Sequence, residues 1–277
     1  MIPVIGLDEL RAARFSLKGT VGLVPTMGYL HEGHLSLIRR AKAECDHVAV
    51  SIFVNPTQFG ANEDLSKYPR DLERDLSLIE PLGVDLVWNP TSEIMYPTGY
   101  QTWVEVEAMT RPLEGAMRPT HFKGVTTVVA KLFNGVQPHK AYFGQKDAQQ
   151  VAVIRQMVRD LNFPVEIVVC PTSREADGLA MSSRNVYLDP AQRQAATVLF
   201  RSLSAAKAAY EQGERDGEKL REKMKEILAS EPLAQVQYVS CADYDTLEEL
   251  TVIKGKALLS MAVFLGKTRL IDNFVLG

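Results

Sequence analysis

The stretch Val21-Gly22-Leu23-Val24-Pro25-Thr26-Met27-Gly28-Tyr29-Leu30-His31-Glu32-Gly33-His34 decides the reading of the fold. A β-branched run, Val21 to Val24, passes through a turn into residues 33–45, where apolar side chains recur at helical spacing. Strand, turn and helix in that order open a parallel sheet with crossover helices, whose ligands collect beyond the carboxyl ends of its strands. The alternation continues with strands predicted at 48–54, 85–88, 141–143 and 165–169, and helices at 69–82, 125–136 and 148–161. Residues 1–171 are therefore expected to form an α/β, Rossmann-like nucleotide-binding domain with Val21–Val24 as its first strand. The Pro- and Gly-rich interval 89–123 fits no simple crossover and reads as an insertion with a strand-like patch at 102–106. Beyond Cys170 a polar loop, a long helix at 190–211, a charged helix at 217–230 and strands at 236–241, 256–265 and 268–275 predict a smaller α+β domain over 172–277.

The 277 residues are 46% hydrophobic and 23% charged, which supports a sizeable core and argues against disorder. Lys and Arg number 31 against 34 Asp and Glu, a net charge of -3, with 17 basic and 19 acidic residues before position 172 and 14 and 15 from there on. Neither half has the basic surface of a nucleic-acid binder, so a phosphate must be met by local groups. The dense charge of 211–225 reads as a solvated helix face with local ion pairs. Cys45, Cys170 and Cys241 are odd in number and outside any CxxC, which disfavours a disulfide framework or zinc knuckle. With no signal-like start, and its longest apolar stretch, 257–265, too short for a bilayer, the chain is expected to be cytoplasmic with no membrane partner.

The turn at 25–34 matches neither GxGxxG nor a Walker sequence, and His31 and His34 are three apart rather than the four of HExxH. Two imidazoles beside the free amides and positive dipole of a helix start suit phosphate; capping or surface histidines and a zinc pair are the alternatives. Gly144-Gln145-Lys146-Asp147 ends another strand, and Asp147-x-x-Gln150 also reads as a capping box. Gln58 offers a donor and an acceptor together, while Asn55 and Pro56 are expected to shape the strand end. Met181-Ser182-Ser183-Arg184, after Asp177-Gly178, places two hydroxyls and a guanidinium where they can close over phosphates. A flexible linker is the alternative there, and a serine nucleophile lacks its GxSxG context. Glu63, Asp64, Arg70, Asp71, Arg111, Arg118, His121 and Lys123 read as solvated polar surface outside the site, with closure of some of them over a ligand as the alternative.

His-x-Gly-His after the first strand resembles the nucleotidylyltransferase and class I aminoacyl-tRNA synthetase superfamily. PTMGYLHEGH (25–34), FVNPTQFG (53–60), RPTHFKGV (118–125), YFGQKDAQQ (142–150) and READGLAMSSRN (174–185) resemble, in order and over nearly the whole chain, the pantothenate synthetase family. That resemblance implies ATP-dependent joining of pantoate to β-alanine through a pantoyl adenylate, with AMP and pyrophosphate released. It implies a homodimer, magnesium accompanying ATP as co-substrate, no tightly bound cofactor, no metal held by the protein alone and no nucleic-acid partner. It places ATP along Met27, Gly28, Tyr29, Leu30, His31, Glu32, Gly33 and His34, along Gly144, Gln145, Lys146 and Asp147, and along Ser173, Met181, Ser182, Ser183 and Arg184. Gln58 and Gln150 are placed on pantoate, Gln58 also on β-alanine. His34 is implied as proton donor, with His31 and Lys146 as phosphate-facing partners and Ser173 meeting adenine through its backbone. An adenylyltransferase without amine transfer and a non-catalytic nucleotide-binding regulator are the rival readings.

Overall fold

The computed structural model describes residues 1–60, 63 and 65–277, so Asp64 lies outside the described residues. Strand β1 (Ile2–Val4) and helix α1 (Leu7–Ser16) precede β2 (Val21–Thr26), which is therefore the second strand in the chain and not the first. A three-residue strand before a largely exposed helix leaves too short a pattern to register as periodicity. Then come α2 (Glu32–Glu44), β3 (His47–Ile52), α3 (Leu72–Ile79), β4 (Leu86–Trp88), the short α4 (Ser92–Met95) and α5 (Glu114–Met117), α6 (His121–Val136), β5 (Lys140–Gly144), α7 (Ala148–Asp160) and β6 (Glu166–Cys170). Among the described residues the six strands form a parallel sheet in the order β1-β4-β3-β2-β5-β6. The chain builds outward from β2 on one side through β3 and β4, then returns to lay β5 and β6 on the other. The crevice at this reversal lies beyond the carboxyl ends of β2 and β5.

Successive residues of a strand face opposite sides of its sheet, and both sides here are covered. Leu23, Ala49, Ala141 and Phe143 pack with Phe122, Val125, Val129 and Phe133 of α6. Their neighbours Val24, Val48, Val50 and Tyr142 pack with Leu37, Ile38 and Ala41 of α2. The patch at 102–106 is not a strand. Its Val104 amide donates to Thr127 Oγ1 at 3.0 Å, and its carbonyl accepts from Thr126 Oγ1 at 2.6 Å, so helix side chains satisfy the backbone that a sheet partner would otherwise pair.

The rest of the chain forms α8 (Pro190–Ala195), α9 (Thr197–Glu211), α10 (Gly217–Ala229), β7 (Ala234–Asp243), β8 (Ala257–Leu265) and β9 (Thr268–Leu276). The long helix expected over 190–211 is thus two helices that meet at Ala196, the buried residue at the join. The second sheet is antiparallel, with β8 in the middle. Leu259, Met261 and Val263 meet Leu199, Leu203, Leu220 and Met224 of α9 and α10, and the alternate residues Leu258, Ser260 and Phe264 face the cleft beside the first sheet. Along α10, Glu218 pairs with Arg221 and Lys225, as expected for a solvated charged face. All three cysteines are buried free thiols, and among the described residues no helix is long and apolar enough to cross a membrane.

Helix α6 also braces the turn that carries Gln58. Asn55 Nδ2 donates to the Gly124 carbonyl at 3.1 Å, and a Cβ on Gly124 would stand 2.5 Å from the Thr57 carbonyl oxygen. Gly124→Ala is expected to lower unfolding free energy by about 1–3 kcal/mol through overpacking, measured by urea denaturation. A change below experimental error would show that the two backbones are not in fixed contact.

Candidate active site

The reversal point opens into a cavity of about 800 Å³ between the ends of the parallel strands and the cleft faces of β8 and β9. At its head, Gly28 and Tyr29 take consecutive left-handed conformations, φ +80° and +51°. They turn the chain so that His31 becomes the N-cap of α2, its Nδ1 accepting from the Gly33 amide at 3.1 Å. His34, at the third helical position, accepts the His31 amide on its own Nδ1 at 3.3 Å. The two imidazoles thus form a reciprocal capping box with ring centres 4.1 Å apart. Gly33 makes this possible, since a Cβ there would come within 2.8 Å of the His31 ring. That contact is the physical reason for glycine inside His-x-Gly-His.

Because each Nδ1 accepts a hydrogen bond, the proton of each neutral ring belongs on Nε2. Burial, with nearby Lys146, pushes the His31 pKa down to about 4. Burial, then His31, then Lys146, take His34 down to about 3. Both rings are consequently neutral at physiological pH, with the proton on Nε2. Capping, one alternative for this pair, is therefore their actual local role, and it coexists with donation from the opposite ring atom.

Lys146 enters the cavity from the turn after β5, with Asp147 Oδ1 4.0 Å from its Nζ. The capping box expected at Asp147 and Gln150 is absent: Asp147 precedes α7 but its side chain makes no cap bond. The 3-10 turn over Gln145–Asp147 already leads into the helix, and the Asp147 carboxylate lines the cavity with Gln150. Asn273 of β9 donates to the carbonyls of Gln145 and Lys146 at 3.0 and 2.8 Å and accepts from Gln145 Nε2 at 3.2 Å. Gln145 is thereby committed to holding the two sheets together. Gln58 is buried at the cavity wall, its Oε1 accepting from Asn55 and its Nε2 3.1 Å from Met27 Sδ.

Met27, His34, Gln58, Lys146, Asp147, Gln150, Ser182 and Arg184 share the cavity wall. The other expected residues border it or turn away. Leu30 is fully buried, Glu32 is paired with Arg39 on the solvent side, and Gly28, Tyr29, His31, Gly33, Gly144 and Gln145 belong to the supporting turns. Ser173 Oγ lies 3.3 Å from Ser36 Oγ of α2, and its carbonyl accepts the Met181 amide, which closes the loop between them. Ser182 caps the turn over Ser183–Tyr187, and Ser183 Oγ is 3.1 Å from Tyr68 OH.

Three polar residues read as solvated surface prove to line the cavity: Glu63, Arg118 and His121. Arg118 holds Glu63 through two bonds of 2.5 and 2.6 Å and the Gln58 carbonyl at 3.2 Å, and His121 Nδ1 lies 2.9 Å from that same carbonyl. Burial, reinforced by Arg118, drops the His121 pKa to about 4. Arg111 is exposed, as expected, and pairs with Glu107, whereas Lys123 is half-buried and pairs with Glu105. Sequence reasoning also missed Glu114, held bidentately by Arg269 at 2.7 Å and bonded by Tyr238 at 2.8 Å. Burial would raise the Glu114 pKa, but Arg269 and Tyr238 more than reverse it. The RPTHFKGV motif was a signal for Arg118 and His121; nothing local marked Glu114, whose hydrogen-bonding partners Tyr238 and Arg269 lie more than a hundred residues away.

A parallel sheet whose switch point carries paired imidazoles on a helix start, a lysine and buried amides defines a His-x-Gly-His α/β protein with a second, antiparallel-sheet body. Residues 6–275 match the pantoate-beta-alanine ligase family. The chain belongs to that family and is a ligase. It is 62% identical to the pantothenate synthetase of Roseiflexus castenholzii over 270 residues, 98% of this chain and 97% of the relative. The solved pantothenate synthetase of Thermus thermophilus is 50% identical and superposes with a TM-score of 0.95 over 99% of each chain. The pantoate-beta-alanine ligase of Francisella tularensis, solved with beta-gamma ATP and beta-alanine, is 37% identical with a TM-score of 0.82, covering 99% of this chain and 97% of that one.

Neutral histidines in the folded state bind fewer protons than in the unfolded chain once the pH falls below the unfolded value of about 6.5. Stability should therefore drop from pH 6.5 to pH 5, by up to about 1.4 kcal/mol per pH unit for each of His31, His34 and His121. His34→Gln should remove about a third of that slope, read by urea denaturation at each pH. An unchanged slope would mean that His34 is charged in the fold.

Proposed function

We propose that this enzyme condenses (R)-pantoate with β-alanine to form pantothenate through an enzyme-bound pantoyl adenylate, consuming ATP with magnesium and releasing AMP and pyrophosphate. The observation that carries this reading is the cavity wall that gathers His34, Lys146, Gln58 and Gln150 at the start of α2, where His31 is paired with His34. In the first half-reaction a pantoate carboxylate oxygen attacks the α-phosphorus and the bond to pyrophosphate breaks. No protein nucleophile is required; what is required is positive potential where charge accumulates on the departing oxygens. His31 and His34 supply it as neutral hydrogen-bond donors, Lys146 as a point charge and the α2 amides as dipoles. The low imidazole pKa values support hydrogen-bond donation, rather than proton transfer, as the role of His34.

The Asp147 carboxylate, uncommitted to a cap and facing the cavity, suits the magnesium that travels with ATP; the ion would neutralise phosphate charge there. In the second half-reaction the β-alanine amine forms a bond to the acyl carbon, AMP leaves with the electron pair, and the amine loses its proton. The Francisella relative, solved in complex with beta-gamma ATP and beta-alanine, supports both as substrates. We further propose that residues 1–171 form the ATP and pantoate domain. Residues 172–277 form a second domain that closes over it, excluding water from the adenylate. The contacts of Ser183 with Tyr68 and of Asn273 with the Lys146 turn support that arrangement.

Mass spectrometry of the full mixture of ATP, magnesium, pantoate and β-alanine should show pantothenate and AMP, each lost when any substrate is omitted. ADP in place of AMP would overturn the adenylate route, and an accumulating AMP-bearing product with pyrophosphate but no free AMP, whether or not β-alanine is present, would favour an adenylyltransferase. His34→Ala is expected to slow single-turnover pyrophosphate release by about 10²–10³-fold. A rate within threefold of wild type would remove His34 from the mechanism.

A further inference from the structure

The turn that delivers the two histidines is held by a residue outside it. Left-handed backbone is unfavourable for a side chain as large as that of Tyr29, so an external partner must hold it there. The partner is Asp75 of α3, which is 1% exposed. Its Oδ2 accepts the Tyr29 amide and its Oδ1 the Leu30 amide, both at 2.7 Å. A Cβ on Gly28 would stand 3.0 Å from Oδ2, so the carboxylate also accounts for glycine at that position. Arg74 closes the arrangement, its Nη1 3.4 Å from Asp75 Oδ1 and its guanidinium 5.0 Å from the centre of the Tyr29 ring. Three successive amides are thus assigned in order: those of Tyr29 and Leu30 to Asp75, and that of His31 to His34 Nδ1.

We propose that Asp75 is a positioning residue for the adenylation step. By holding the amides of Tyr29 and Leu30 it aims the amide of His31 at His34, which keeps the His34 proton on Nε2 and the ring turned to the cavity. Asp75 touches neither imidazole and acts only through this backbone. The inference rests on the function proposed above for the same site.

The carboxylate is needed as a double acceptor. Asparagine keeps one acceptor oxygen but sets an amide donor against the second backbone N–H. A double-mutant cycle separates positioning from general support of the fold, because residues acting through one another do not contribute additively. Single-turnover pyrophosphate release is measured with ATP, magnesium and pantoate for wild type, Asp75→Asn, His34→Ala and the double variant. Asp75→Asn is expected to slow release about tenfold or more on its own, yet less than about threefold further when His34 is already alanine. If Asp75→Asn does not fold, Asp75→Glu, which keeps both oxygens one methylene out of place, replaces it with the same expectation. A single variant within twofold of wild type, or losses that multiply in the double variant, would overturn the positioning role while leaving the proposed reaction intact. A wild-type protein that releases no pyrophosphate would overturn both.

Discussion

Strand β2 is hydrogen-bonded to β3 on one edge and β5 on the other and covered by helices on both faces, so it can offer chemistry only at its carboxyl end. The chain must leave there, and crossover handedness requires a helix to begin close by. Its first amides have no intrahelical partner. Everything else at the site answers that arrangement. The left-handed Gly28–Tyr29 turn points α2 back along the sheet, Asp75 satisfies the amides the turn exposes, and His31 and His34 satisfy those of the helix start with one ring nitrogen each. The other ring nitrogens remain as donors. Capping in this way occupies one end of each imidazole and leaves the other as a hydrogen-bond donor.

The second sheet completes the site through β9, whose alternation assigns each face a separate task. Arg269 and Asn273 face the cleft, where they hold Glu114 and the Gln145–Lys146 turn. Asp272, on the opposite face, receives Arg174 bidentately at 2.7 and 2.8 Å beside the rings of Phe200 and Phe274. Buried ion pairs of this kind add little net stability relative to apolar packing, but losing one partner leaves a charge stranded. Their weight here is geometric. They fix how the antiparallel sheet lies against the Gln145–Lys146 turn.

A net charge of -3 is compatible with this because the positive potential is built locally. Arg118, Arg269 and Arg174 are matched by Glu63, Glu114 and Asp272, and hydrogen-bond donors supply much of the remaining potential. Neutral imidazoles offer that donation without the desolvation cost of two adjacent buried cations.

The sequence by itself determined the parallel α/β class, the antiparallel second sheet and the turns at 25–34, 144–147 and 181–184, because strand and helix periodicity and glycine positions are local signals. It also placed Met27, His34, Gln58, Lys146, Asp147, Gln150, Ser182 and Arg184, all of which meet in one cavity. It misread Val21–Val24 as the first strand, 102–106 as strand-like, 190–211 as one helix and Asp147 as a cap. In each case the backbone's partners, or the bend, are set by tertiary contacts. Asp75, Glu114, Arg118 and Asn273 looked like ordinary polar residues because their roles depend on groups 45, 155, 55 and 127 positions away. Only the tertiary structure decided which polar groups are buried and which nitrogen of each histidine carries the proton, since desolvation and hydrogen-bond direction depend on neighbours that no local pattern encodes.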